Sequence, residues 1–165
     1  MARWISGAPA LPALFLAVTV FAFAGFAAPQ ALAASPNDLK GIWTSKEKRD
    51  SLIEIYDCGE HLCGRLVSLT DPLDDAGIPK KDIYNTDESL RDRPLAGIEF
   101  LTGFTYDERK AAWKGGRIYN ARDGKTYKST MVFKEGELKV RGFVGISLFG
   151  KTDVWVEVKE SAAAQ

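Results

Sequence analysis

From Gly115 to Val158 apolar and polar side chains alternate in short runs. They are Gly115-Gly116-Arg117-Ile118-Tyr119, Gly124-Lys125-Thr126-Tyr127, Leu138-Lys139-Val140-Arg141-Gly142-Phe143-Val144-Gly145 and Val154-Trp155-Val156-Glu157-Val158. A period of two suits strands, whose successive side chains face opposite sides of a sheet. The same period predicts about eight strands. They lie near Gly41 to Thr44, Leu52 to Asp57, Leu62 to Leu69, Ile98 to Phe104, Ala111 to Tyr119, Lys125 to Phe133, Glu137 to Val144 and Thr152 to Val158. Cys58-Gly59-Glu60-His61, Asn120-Ala121-Arg122-Asp123-Gly124 and Lys134-Glu135-Gly136 each supply a Gly or Asn that tolerates positive φ at a turn.

Sequential hairpins in a flat sheet leave two open edges, and closure removes them. The predicted fold is all-β: a single antiparallel up-and-down β-barrel of about eight strands, whose interior is filled by side chains or holds one small ligand. One connection breaks the rhythm. Between Leu69 and Ile98 lies a segment with Asp71-Pro72, Ala76-Gly77-Ile78-Pro79 and Arg93-Pro94. Loops of this length in compact domains are usually functional. Residues 70–97 are expected to form a flap over one barrel mouth, with a helical turn through Asp87-Glu88-Ser89-Leu90-Arg91 capped by Asp87.

Ahead of the strands, Arg3, the apolar stretch Leu11 to Phe26 and the small residues of Ala31-Leu32-Ala33 read as a secretory leader, residues 1–33. A membrane anchor is the competing reading, disfavoured by Pro29 and the cleavage site. The remaining expectation is a short linker at 34–40, one barrel domain at 41–158 and a disordered tail at 159–165, secreted across the inner membrane to the periplasm and soluble there.

Cysteine usage agrees with export. Cys58 and Cys63 are the only two, and an oxidising compartment favours a disulfide between them. Placing Cys58 opposite Cys63 sets Ile55 against Leu66 and Ile53 against Ser68 on an apolar face, with Tyr56 against Arg65 and Glu54 against Val67 on a polar one. A redox pair fits less well, because four residues intervene and no βαβ pattern surrounds them.

Twenty-two basic side chains balance 22 acidic ones. Such a balance gives no footprint for nucleic acid or an anionic membrane. Lys46, Lys48 and Arg49, interrupted by Glu47, read as a solvated turn.

Gly145-Ile146-Ser147-Leu148-Phe149-Gly150-Lys151-Thr152 matches the phosphate loop of nucleotide hydrolases letter for letter. That loop must open a helix, whereas Asp153 to Val158 alternates like a strand, so no nucleotide is expected. No enzyme is predicted: His61 is the only histidine, it sits in a turn, and no nucleophile elbow appears. No cofactor is expected. Zinc loses its thiolates to the disulfide, and Asp71, Asp74, Asp75 and Asp82 read as a solvated acidic loop rather than a calcium site.

An ordered series of motifs spans Gly41 to Val158. It comprises Cys58-Gly-x-x-x-Cys63-Gly64, Asn85-x-Asp87, Leu90-Arg91-x-Arg93-Pro94-Leu95-x-Gly97, Trp113-x-Gly115-Gly116-x-Ile118-Tyr119, Gly124-Lys125-x-Tyr127, Leu138-x-Val140-Arg141-Gly142-Phe143-Val144-Gly145 and Trp155. This series resembles the exported bacterial proteins grouped as domain of unknown function 2147. The resemblance implies a small lipocalin-like barrel, usually periplasmic, with no established activity. Phe143 stands where that pattern has Tyr, which removes one hydroxyl. Gly41-x-Trp43 also resembles the first lipocalin strand, and that likeness implies a cation–π contact of Arg141 over Trp43 at a barrel end.

Inward aromatics fill a core or line a pocket, and arginines beside a pocket pair with an anionic head group. The candidate ligand-binding or barrel-end residues are Trp43, Arg91, Arg93, Trp113, Arg117, Tyr119, Tyr127, Arg141 and Trp155. The expected function is non-enzymatic binding of a small amphiphile or apolar anion. The alternative is a filled barrel acting as a protein-interaction, envelope-assembly or inhibitor module.

Overall fold

The computed structural model describes Ser35 and residues 39–159. The expected leader, most of the linker and the tail beyond Lys159 lie outside the described residues. Eight strands follow one another: β1 Gly41–Ser45, β2 Ser51–Cys58, β3 His61–Leu69, β4 Glu99–Asp107, β5 Ala112–Asn120, β6 Lys125–Lys134, β7 Glu137–Phe143 and β8 Lys151–Glu157. Each pairs antiparallel with its chain neighbours, and β8 closes onto β1 through Trp43↔Glu157 and Ser45↔Trp155. The result is a closed barrel, so no strand edge is left to recruit another chain.

Alternation decides which side chains enter. Trp43, Ile53, Ile55, Leu62, Leu101, Phe104, Trp113, Met131, Leu138, Val140 and Trp155 turn inward and are nearly inaccessible to water. Two glycines give the large groups room. A Cβ on Gly64 would lie 2.8 Å from the Leu101 side chain, and one on Gly116 would lie 2.3 Å from the Phe104 ring. Leu39, from the end of the predicted linker, is also fully buried, and its carbonyl accepts the Trp43 Nε1–H at 2.8 Å. Phe133 meets the Trp43 ring edge-on at 5.9 Å.

The disulfide joins Cys58 and Cys63, whose Cα atoms lie 5.8 Å apart. Their register differs from the sequence expectation. Cys58 pairs with His61 and Tyr56 with Cys63, so the sulfur link runs diagonally across the hairpin. The reason is the turn: Gly59, at φ 77°, permits a tight two-residue connection through Glu60 in place of a four-residue one. Moving the pairing by an even number of positions leaves every side chain on its own face. Ile53 and Ile55 therefore stay in the core, now beside Leu66 and Gly64. Arg65 lies over the Tyr56 ring at 5.2 Å on the outside.

A second correction concerns Arg141, which does not cover Trp43. Val140 is buried, so strand alternation turns Arg141 to the outer face. There its guanidinium donates to Thr152 Oγ1 at 2.7 Å and to the carbonyls of Ser147 and Leu148 at 2.6 and 3.0 Å. The phosphate-loop look-alike runs through a 3-10 turn at Ser147–Phe149 directly into β8, so no helix follows it.

Candidate functional site

The segment between β3 and β4 is an ordered strap. Lys80 Nζ binds the Asp71 carboxylate at 2.6 Å, and Asp74 Oδ1 accepts the backbone N–H groups of Ala76 and Ile78. Leu73 bridges to Pro79 and Lys81 to Pro94, which folds the segment back on itself. Further on, Asp87 caps the 3-10 turn Glu88–Leu90 by accepting the Ser89 N–H at 3.0 Å, as the sequence suggests. Arg91 spans from the Asn85 carbonyl to Glu88.

Asp82 pins the strap to the wall. Its side chain is fully buried, yet all its partners are donors: Asn85 Nδ2 at 2.7 Å, Arg93 Nη2 and Nε at 2.8 and 3.0 Å, and Tyr119 OH at 2.6 Å. Burial alone raises a carboxyl pKa, but these bonds from Tyr119, Asn85 and Arg93 outweigh it and hold Asp82 below the usual carboxylate range. Burial and donation to Asp82 push the Tyr119 phenol up to about 12. This hydroxyl therefore keeps its proton at neutral pH. The docking is close at the β5–β6 turn as well, where a Cβ on Gly124 would fall 1.8 Å from the Tyr84 carbonyl oxygen.

Between strap and wall runs a groove of about 290 Å³. Leu90 and Arg93 line it from the strap, Phe100 from β4, Arg117 and Tyr119 from β5, and Thr126 from β6. Ile118 pairs with the core residue Leu101, so its neighbours Arg117 and Tyr119 face outward. The Arg117 side chain is exposed and its guanidinium makes no hydrogen bond or ion pair among the described residues. A second cleft of about 330 Å³ lies between the tips of the β2–β3 and β4–β5 hairpins, with Glu60, His61, Tyr106 and Trp113 among its walls. His61 Nδ1 stands 3.0 Å from Thr105 Oγ1 there. The buried Trp113 Nε1–H has no partner among the described residues.

The family model described as an uncharacterized protein conserved in bacteria, DUF2147, matches residues 41–157, which is the whole barrel from β1 to β8. The chain belongs to the DUF2147 family. A solved structure titled as protein HP1028 from the human pathogen Helicobacter pylori, belonging to the lipocalin family, is similar to this DUF2147 barrel at 27% identity and a TM-score of 0.63. The likeness covers 74% of this chain and 84% of that one, and supports a lipocalin-like architecture. No curated protein matches.

Of the nine residues singled out in sequence, the DUF2147 barrel brings Arg93, Arg117 and Tyr119 into the strap groove. Arg91 stands beside them, bonded to Asn85, but its guanidinium is engaged within the strap. Trp43 and Trp155 are core residues. Trp113 is shared between the core and the second cleft. Tyr127 pairs with the inward Ile118 and donates to Asp123 at 2.6 Å, and Arg141 stands on the outer wall. Sequence reasoning treated Asp82 only as part of an acidic run, and it missed Thr126 and Leu90 as groove residues. One signal was available: Asn85 and Arg93, both in the motif series, are the hydrogen-bond partners that a buried carboxylate requires. The acidic run itself divides its work among a lysine, backbone amides and the strap anchor. Among the described residues no cluster of three or more acidic, His or Cys side chains could hold a metal ion. Nor is any described helix long and apolar enough to cross a membrane.

Proposed function

We propose that this chain is an exported, non-enzymatic binder of a small amphiphile or apolar anion in the periplasm, with the ligand's acidic head group held in the strap groove. The observation that carries this reading is Arg117, an unpaired guanidinium on the wall of a groove whose other surfaces mix Leu90 and Phe100 with hydroxyl groups. Arginine presents a planar fork suited to a carboxylate or phosphate. Arg93 adds positive potential, although two of its nitrogens are committed to Asp82. The lipocalin-like fold supports small-ligand binding in general. The packed core favours an outer groove over a central calyx. The disulfide and the leader-like N-terminus support an oxidising destination. Native mass spectrometry of the protein taken from its own envelope tests the reading. A bound small acid that is lost from Arg117→Gln supports it, and a ligand-free protein overturns it.

The filled core also favours a second reading, a protein-interaction module acting through the strap. Residues 71–81 close on themselves through the Asp71–Lys80 pair and the Leu73–Pro79 bridge, and Ile78 is half exposed beside them. Deleting most of Leu73 to Lys81 then abolishes capture of a partner while barely lowering the melting temperature.

A further inference from the structure

The loop between β7 and β8 exposes large apolar side chains in quick succession: Val144 at 72%, Ile146 at 60%, Leu148 at 74% and Phe149 at 79%. Single exposed apolar residues are ordinary on protein surfaces, but a contiguous group on one projection marks a contact site. The loop is also held in shape. Arg141 ties down the carbonyls of Ser147 and Leu148 from the outer wall. Gly150 packs so tightly on β7 that a Cβ there would lie 2.6 Å from the Gly142 carbonyl oxygen. At the tip the backbone bonds to itself, Phe149 N–H to the Ile146 carbonyl and Gly150 N–H to that of Ser147. Fixed backbone and satisfied tip carbonyls lower the cost of placing the loop in an apolar medium, where unpaired peptide groups are expensive.

Basic side chains flank the loop, and Asp153, the nearest acid in sequence, is engaged by Ser45 and Trp155 at 3.0 Å. Lys128 pairs directly with Phe143 at the root of the loop, and Lys151 follows its last residue. The even balance of the whole chain does not reveal this placement, because strand pairing rather than composition puts Lys128 at the root of the loop.

We propose that the Val144–Phe149 loop is a membrane-docking finger, inserting its apolar side chains into the surface of an anionic bilayer while the flanking lysines meet the lipid head groups. The occupant is a lipid surface rather than a protein because the exposed apolar side chains line neither of the two grooves described above and are flanked by Lys128 and Lys151, which suit an anionic head-group layer. Amphipathic elements with apolar tips and basic flanks bind in this manner, by buried apolar area together with attraction to anionic lipid. The proposal does not depend on the ligand reading, since Arg117 takes no part in it.

Flotation with phosphatidylcholine vesicles, with and without phosphatidylglycerol, tests it on the protein as the producing cell exports it. The wild-type protein is expected to float with the phosphatidylglycerol vesicles and to be released by salt. Replacing Leu148 and Phe149 together by Ser should weaken binding at least about tenfold. Lys128→Gln and Lys151→Gln should each weaken it by up to about fivefold. None of these side chains belongs to the core, so an unchanged melting temperature accompanies each loss. Failure of the wild-type protein to float overturns the proposal, as does equal, salt-insensitive binding to neutral vesicles. So does loss of self-association in the Leu148/Phe149 variant without any change in vesicle binding, which would assign the loop to a second copy of the chain.

Discussion

The Tyr119 hydroxyl donates to the Asp82 carboxylate at 2.6 Å, joining the middle of the long strap to the outer face of β5 across 37 positions of sequence. Asn85 and Arg93 complete the shell around that carboxylate, so one buried side chain collects donors from both the strap and the barrel. The geometry of the groove depends on this anchor. Arg93 and Tyr119 line the groove and are both held by Asp82, while Arg117 stands two positions along β5 from Tyr119 with its guanidinium free.

Replacing Asp82 by Ala strands four donor groups of three side chains beside an apolar methyl. The expected loss is about 2–3 kcal/mol, below that of a fully buried ion pair because the Arg93 side chain is 35% exposed. Hydrogen exchange localises the effect. Amides of the strap, including the Asp82 N–H bonded to the Arg93 carbonyl and the Leu95 N–H bonded to that of Lys80, should lose protection while those of β6 and β7 keep it.

The same contact sets a pH dependence at both extremes. Asp82 has a folded pKa below its unfolded value, so its contribution is fully present above the unfolded value and fades as acid titrates the folded carboxylate. Tyr119 runs the other way. Its folded pKa of about 12 exceeds the ordinary 10.0, so its contribution is intact below pH 10 and is lost as pH rises towards 12. Melting temperature against pH should therefore fall on the alkaline side, and Tyr119→Phe should flatten that limb. Ultraviolet titration of the variant should lack one phenol ionising near 12.

Gly116→Ala examines the barrel interior. Its Cβ would meet the Phe104 ring at 2.3 Å, and overpacking of this kind costs about 1–3 kcal/mol. Adding Phe104→Leu makes room, so the double variant should be more stable than the sum of the two single losses implies. Urea denaturation of the four proteins measures this coupling.

Removing the disulfide with Cys58→Ser and Cys63→Ser opens a very short covalent loop, since the cysteines are five positions apart. The expected loss is about 2 kcal/mol, and the far-ultraviolet spectrum should remain that of the barrel. Collapse of the spectrum would show that the clasp contributes more than closure of its own turn.

Local chemistry made the strands legible. Alternation and turn glycines place all eight near their observed bounds, because a half-buried strand must obey a period of two wherever it sits in the chain. The faces of the Cys58–Cys63 hairpin were likewise legible although its register was not. Register depends on the number of residues in the turn, and Gly59 supports the shorter turn equally well. Arg141 shows a different limit. Its own strand contains the parity that turns it outward, beside the buried Val140, but the partner it finds there is the carbonyl-rich loop ahead of β8 rather than an indole.

By itself, the sequence determined the barrel, the disulfide partners, the Asp87 cap and the family, since each follows from residues close in the chain or from an ordered set of motifs. Tertiary structure alone decided that Asp82 is an anchor rather than one acid among several, and that Arg93, Arg117 and Tyr119 share a groove. It also gathered apolar and basic side chains around one loop of a chain whose total charge is balanced. Closing a sheet into a barrel brings distant residues together through strand pairing and strap docking, and neither composition nor local period encodes which outward-facing side chains those long-range contacts will join.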